Sequence, residues 1–114
     1  MLATIERQNN ITLVTITADT LDDGNEKSFR KEVISSLDPG ANVVLDLDGV
    51  KFIDSSGLGA ILSCHRHLQT AKGDLKLCCM RETVRSLFEL VRMHRIFEIY
   101  DSSEEAMESF QREF

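Results

Sequence analysis

Only one proline and three cysteines occur among the 114 residues, and no apolar stretch approaches the roughly 20 residues a membrane-spanning helix requires. With a single Pro and no low-complexity run there is no recognisable linker, repeat or second domain. Residues 1–114 read as one domain, long enough to fold around a single core without metal or disulfide staples. No basic-then-apolar leader precedes the first strand pattern, so the expectation is a cytoplasmic protein with no membrane contact. Basic residues are scarce: 13 Lys and Arg against 19 Asp and Glu leave a formal net charge of −6, with no basic cluster. That balance argues against nucleic acid as a partner. The cysteines Cys64, Cys78 and Cys79 are odd in number and lack CxxC spacing. They read as small apolar residues in a reducing compartment, not as a metal or redox motif. The adjacent pair Cys78 and Cys79 is expected on opposite sides of a strand, poorly placed to bridge.

What is present alternates between two periodicities. Ala3 to Glu6 and Ile11 to Ile16 read as strands joined by an Asn9-Asn10 turn. Asn25 through Leu37 reads as a helix carrying Phe29, Val33, Ile34 and Leu37 on one side, ended by Pro39-Gly40. Val43 to Leu47 is a nearly continuous apolar run, the mark of a strand covered on both faces. Leu58 to Lys72 is a second helix with a stripe of Leu58, Ile61, Leu62, His65 and Leu68, and Gly73 follows as its C′ residue. Leu75 to Met80 is a strand. Glu82 to Arg92 is a helix turning Val84, Leu87, Phe88 and Val91 inward, and Ile96 to Tyr100 is a short strand. Ser102-x-x-Glu105 is a capping box for a last helix. The order ββαβαβαβα implies an α/β fold with a mostly parallel mixed sheet flanked by helices and an antiparallel pair at its start.

The chemistry concentrates at Asp54-Ser55-Ser56-Gly57-Leu58-Gly59, where the apolar run ending in Val50, Phe52 and Ile53 meets the second helix. Helix N-termini present unpaired backbone N–H groups and the positive end of a dipole. Ser55 or Ser56 there has two readings: a cap for the helix, or a hydroxyl placed where a phosphate is tolerated. Gly57 and Gly59 leave space above the helix start.

Catalytic use of these serines is disfavoured. There is no Gly two residues before either, so the nucleophile elbow is absent. Of the three histidines, His65 and His67 lie two or more turns down the helix, and His94 falls in a later turn. No Gly-x4-Gly-Lys-Ser/Thr phosphate loop occurs. Asp46 and Asp48 stand at i, i+2 and could share a cation, with Asp54 and the Asp22-Asp23 pair near the same edge. The plainer assignment is strand-end residues with no metal.

Taken together, Val43-Val44-Leu45-Asp46-Leu47 and Val50-Lys51-Phe52-Ile53-Asp54-Ser55-Ser56-Gly57-Leu58-Gly59-Ala60-Ile61-Leu62 resemble the core of STAS domains. Within these the chain is similar to bacterial anti-sigma factor antagonists. The likeness extends upstream to Leu21-Asp22-x-x-Asn25-x-x-x-Phe29 and downstream to Val84-x-x-Leu87-Phe88-Glu89-Leu90 and Ile96 through Ala106. The resemblance implies a non-enzymatic module without cofactor, working by partner switching. A serine kinase that is also an anti-sigma factor would phosphorylate Ser55, with Ser56 as runner-up. The unmodified form would bind that kinase and free a sigma factor, and a metal-dependent, PP2C-type serine phosphatase would restore it. Asp22, Asp54, Ser55, Ser56, Gly57, Leu58 and Gly59 are the implied contact residues. The same fold also serves in subunits of lipid or anion transport systems and in switches with non-sigma targets. One departure stands out: the family often has Gly before its first helix, where this chain reads Ala18-Asp19-Thr20-Leu21-Asp22.

Overall fold

The computed structural model describes residues 1–112. Strands β1 (Ala3–Gln8) and β2 (Ile11–Ile16) form an antiparallel hairpin. Asn9 and Asn10 turn it with φ of 50° and 69°, the left-handed pair that a tight two-residue hairpin needs. After β3 (Thr20–Leu21) come α1 (Glu26–Ser36), β4 (Asn42–Asp46), β5 (Phe52–Ile53) and α2 (Ser55–Thr70). Then follow β6 (Asp74–Cys78), α3 (Glu82–Leu90), a 3-10 turn at Met93–Arg95, β7 (Ile99–Tyr100) and α4 (Ser103–Gln111). The main sheet runs β1-β2-β4-β6-β7, parallel throughout except for the opening hairpin. Crossover helices between parallel strands produce this arrangement. The expected fold class is therefore the observed one.

The two faces of the sheet are covered unequally. Val14, Ile16, Val43, Leu45, Leu75 and Leu77 join the larger core with Phe29 and Val33 of α1, Ile61, Cys64 and Leu68 of α2, and Phe88 of α3. The opposite face is smaller: Ile11, Val44 and Cys78 pack against Ala106 and Phe110 of α4. Strand β4 thus buries both its faces, as its unbroken apolar run requires.

Differences from the sequence expectation are local. β3 pairs with β5 in a separate two-stranded parallel ribbon, joining Thr20 to Phe52 and Leu21 to Ile53. Helix α2 starts at Ser55, three residues before Leu58, and its C′ residue is Lys72 with φ 66°, not Gly73. The Gly73 N–H donates to the Leu68 carbonyl at 2.7 Å and the Lys72 N–H to the Gln69 carbonyl at 3.1 Å, a Schellman closure. Gly73 is needed for a different reason, since a Cβ there would lie 2.4 Å from the Ala41 carbonyl oxygen. Helix α3 stops at Leu90, and Arg92 follows with φ 61°. Val91 is consequently exposed with Leu90 and Ile96 instead of turned inward.

Candidate functional site

Capping of α2 falls to Asp54, not to either serine. One Asp54 carboxylate oxygen, Oδ1, accepts from the Gly57 N–H at 2.9 Å, and the Asp54 carbonyl accepts from the Leu58 N–H at 3.0 Å. Ser55 is therefore the first helical residue, exposed, and its hydroxyl makes no hydrogen bond among the described residues. Ser56 is half-buried and its hydroxyl donates to Asp23 Oδ1 at 3.4 Å. Of the two readings of the serine pair, the cap is excluded and a free hydroxyl at a helix N-terminus is what remains for Ser55.

The β3–β5 ribbon explains how the site is held. The Asp54 N–H donates to the Leu21 carbonyl at 3.2 Å, pinning the start of α2 against the loop that follows β3. Gly57 is buried at this contact. A Cβ on it would lie 2.3 Å from the Leu21 carbonyl oxygen and 2.7 Å from Ile53 Cγ1, so only glycine permits the approach. Gly59 differs: it is exposed, with nothing within 4 Å of where its Cβ would stand. Leu58 is buried and anchors the helix to the core.

Within the loop, Asp22 turns its carboxylate inward. Its Oδ1 accepts from the Gly24 N–H at 2.9 Å and its Oδ2 from the Thr20 hydroxyl at 3.2 Å. Asn25 clasps the same turn, accepting from the Asp22 N–H at 3.0 Å and donating to the Thr20 carbonyl at 2.8 Å. The direct neighbour of the serine loop is Asp23. Its N–H donates to Asp54 Oδ2 at 3.2 Å, and its carboxylate receives the Ser56 hydroxyl. Residue order alone puts Asp23 near this edge without a contact, because loop direction is not written in residue type. Phe52 adds a 56% exposed ring on β5, at the rim of an open cleft of about 230 Å³ shared with Lys51, Thr83, Val84 and Leu87.

Electrostatically the site is anionic. Among the described residues, Asp22, Asp23 and Asp54 make no ion pair with a Lys or Arg. The histidines are elsewhere: His65 is buried with its ring 4.8 Å from that of Phe97, and it lies about 15 Å along α2 from Ser55. His67 and His94 are exposed. Asp48 lies beyond β4 in a turn, and its N–H donates to Asp46 Oδ1 at 2.9 Å. The cysteine pair departs from expectation as well. Cys79 leaves the strand with φ 65°, and the two sulfurs approach to 3.2 Å.

The profile of the STAS domain matches residues 3–106. BtrV of Bordetella bronchiseptica, provisionally named an anti-sigma factor antagonist, is 30% identical over 100 residues, spanning 87% of this chain and 86% of its own. A Thermotoga maritima structure with the same provisional name superposes with a TM-score of 0.82 at 28% identity, over 94% of this chain and 92% of the other. SpoIIAA of Bacillus in its phosphorylated form shares the fold, with a TM-score of 0.69 at 21% identity over 95% of this chain and 98% of that one.

Proposed function

The chain belongs to the STAS domain family, and from that premise we propose that it is an anti-sigma factor antagonist switched by phosphorylation of Ser55. Unmodified, it binds a serine kinase that doubles as an anti-sigma factor and so frees a sigma factor. Phosphorylated, it lets go, and a PP2C-type phosphatase reverses the change. The observation that carries this reading is the exposed, unbonded Ser55 hydroxyl beside an Asp54 that already caps the helix. The serine has no structural duty to lose, and a kinase can reach it.

The direction of switching follows from charge. A phosphate adds roughly −1.5 to −2 at pH 7. The α2 N-terminus offsets this by about 0.3–1 kcal/mol, enough for the fold to tolerate the group. Asp23 and Asp54 stand beside it, so any docked surface would have to accommodate a dense cluster of negative charge. Burying an uncompensated anion in an interface costs several kcal/mol, and each 1.4 kcal/mol is tenfold in affinity. Release needs no change of shape. Ser55 acts here as a substrate for another enzyme.

The test is incubation with the cognate kinase and ATP, phosphate mapping by mass spectrometry, and binding measurements on both forms. Phosphate is expected on Ser55 in the wild type and in Ser56→Ala, and absent in Ser55→Ala. Phosphorylation is expected to weaken kinase binding by about a hundredfold or more. Phosphate at another residue, or equal binding by both forms, refutes the proposal.

A further inference from the structure

At the same C-terminal edge of the sheet, on the face covered by α4, three potential ligands converge outside the serine site. The parallel register sets Asp46 of β4 opposite Cys78 of β6, so both side chains leave the same face. Cys79 would point the other way in a continuing strand. Its positive φ swings the thiol round until Sγ stands 3.2 Å from Sγ of Cys78. One donor atom from each of the three residues lies within 4.8 Å of the others. The backbone here is fixed, with the Leu47 N–H donating to the Cys78 carbonyl at 3.0 Å and the Cys79 N–H to the Tyr100 carbonyl at 3.1 Å. Asp46 is oriented in turn by the Asp48 N–H. Cys78 is fully buried, while Asp46 and Cys79 are half-buried and give the cluster a route to solvent.

We propose that Asp46, Cys78 and Cys79 form a binding site for a thiophilic divalent metal ion of the zinc class. Two sulfurs and one carboxylate oxygen suit zinc or cadmium and disfavour magnesium and calcium, which take oxygen donors. Zinc–sulfur bonds of about 2.3 Å and zinc–oxygen bonds of about 2.0–2.2 Å lie within reach once the half-exposed Asp46 side chain closes in. Three protein donors leave a fourth position for water or an outside ligand. On binding, both S–H protons leave to solvent, each sulfur forms one bond to the ion, and an Asp46 carboxylate oxygen forms the third.

Charge favours the exchange. Burial, the adjoining Cys79 thiol and the carboxylates of Asp46 and Glu104 push the Cys78 thiol up, and burial with Asp46 and Asp48 pushes up that of Cys79. The field that resists a bare thiolate attracts a dication in place of two protons. A disulfide is the poorer outcome for this pair. Adjacent Cα atoms stand about 3.8 Å apart, whereas disulfides span about 4.4–6.8 Å. The dithiol is the form the backbone favours.

Cadmium serves as the probe, titrated into the reduced full chain and followed by the ultraviolet thiolate-to-metal charge-transfer band, with zinc as competitor and native mass spectrometry for stoichiometry. One ion per chain is expected, with release of two protons. Cys79→Ser and Cys79→Ala, both at a half-buried position, should weaken binding at least about a hundredfold, and Asp46→Asn about tenfold, with circular dichroism unchanged. Cys64→Ser should bind as the wild type does. Absence of the band at stoichiometric cadmium, or undiminished affinity in either Cys79 variant, overturns the site. Undiminished affinity in Asp46→Asn overturns the three-donor assignment.

Discussion

Asp54 holds two structures at once: Oδ1 accepts from the Gly57 N–H at the start of α2, while Oδ2 accepts from the Asp23 N–H in the loop before α1. One side chain therefore couples the helix that carries Ser55 to the loop that flanks it. Asp54→Ala removes both bonds and is expected to cost about 0.5–2 kcal/mol, as loss of an N-cap does. Asp54→Asn keeps an oxygen for Gly57 but presents an N–H₂ that cannot accept from Asp23. It should cost less than Ala while freeing the loop. Urea unfolding separates the two variants in stability, and hydrogen exchange at the Asp23 amide should quicken in both.

The glycines of the motif have opposite duties and should respond oppositely. Gly57→Ala drives a Cβ to within 2.3 Å of a backbone carbonyl in a ribbon fixed on both sides. A cost of about 1–3 kcal/mol is expected, with α2 displaced from Leu21. Gly59→Ala meets nothing and sits in an exposed helical turn, so the folded protein should gain about 0.5–1 kcal/mol. If the proposed docking face includes Gly59, the same methyl should weaken kinase binding despite the gain. Thermal denaturation and a binding isotherm on each variant read the two effects independently.

Legibility in the sequence followed how local the determinant was. Asn9-Asn10 carries its turn in its own backbone preference, and the Ser102 cap, whose hydroxyl accepts from the Glu105 N–H at 3.2 Å, is set within four residues. The apolar run of β4 reveals burial on both faces because both partners demand the same residue type. What failed depended on contacts across the fold. β3 is two residues long and exists because Leu21 finds Ile53. Ser55 and Ser56 are good caps by type, yet the Gly57 N–H donates to Asp54 Oδ1, so Asp54 serves. Cys79 left the expected alternation through a positive φ that residue type does not announce. Lys76, between two leucines of β6, is fully buried because α4 lies over that face.

His65 makes stability depend on pH. Burial lowers its pKa, against a smaller opposing pull from Asp74, so the folded state prefers the neutral ring packed on Phe97. Between the folded value and the unfolded value near 6.5, the unfolded chain binds more protons. The contribution of His65 is therefore complete above about pH 6.5 and is lost as pH falls through the folded value. Wild type should lose more stability between pH 7 and pH 5 than His65→Leu does. Paired melting curves at the two pH values test this, and equal losses would mean that other groups carry the acid limb.

Lys76 offers the sharpest separation of packing from charge. Its Nζ donates to the Ser109 hydroxyl at 2.8 Å, stands 4.1 Å from the Phe110 ring centroid, and lies 3.6 Å from Glu98 Oε2. The Ser109 hydroxyl in turn donates to the Ala106 carbonyl at 2.6 Å, so the lysine tip closes a chain that ties α4 to the sheet. Lys76→Ala removes both stem and tip and should cost about 2–5 kcal/mol, as large-to-small changes in a core do. Lys76→Met keeps the stem, and replacing a buried charge by an apolar group of similar volume is often close to neutral. It should recover most of the loss. Glu98 is 57% exposed, so Glu98→Gln should cost less than about 1 kcal/mol and couple only weakly to Lys76 in a double-mutant cycle. If Met proves as damaging as Ala, the ammonium and not the hydrocarbon holds α4 in place.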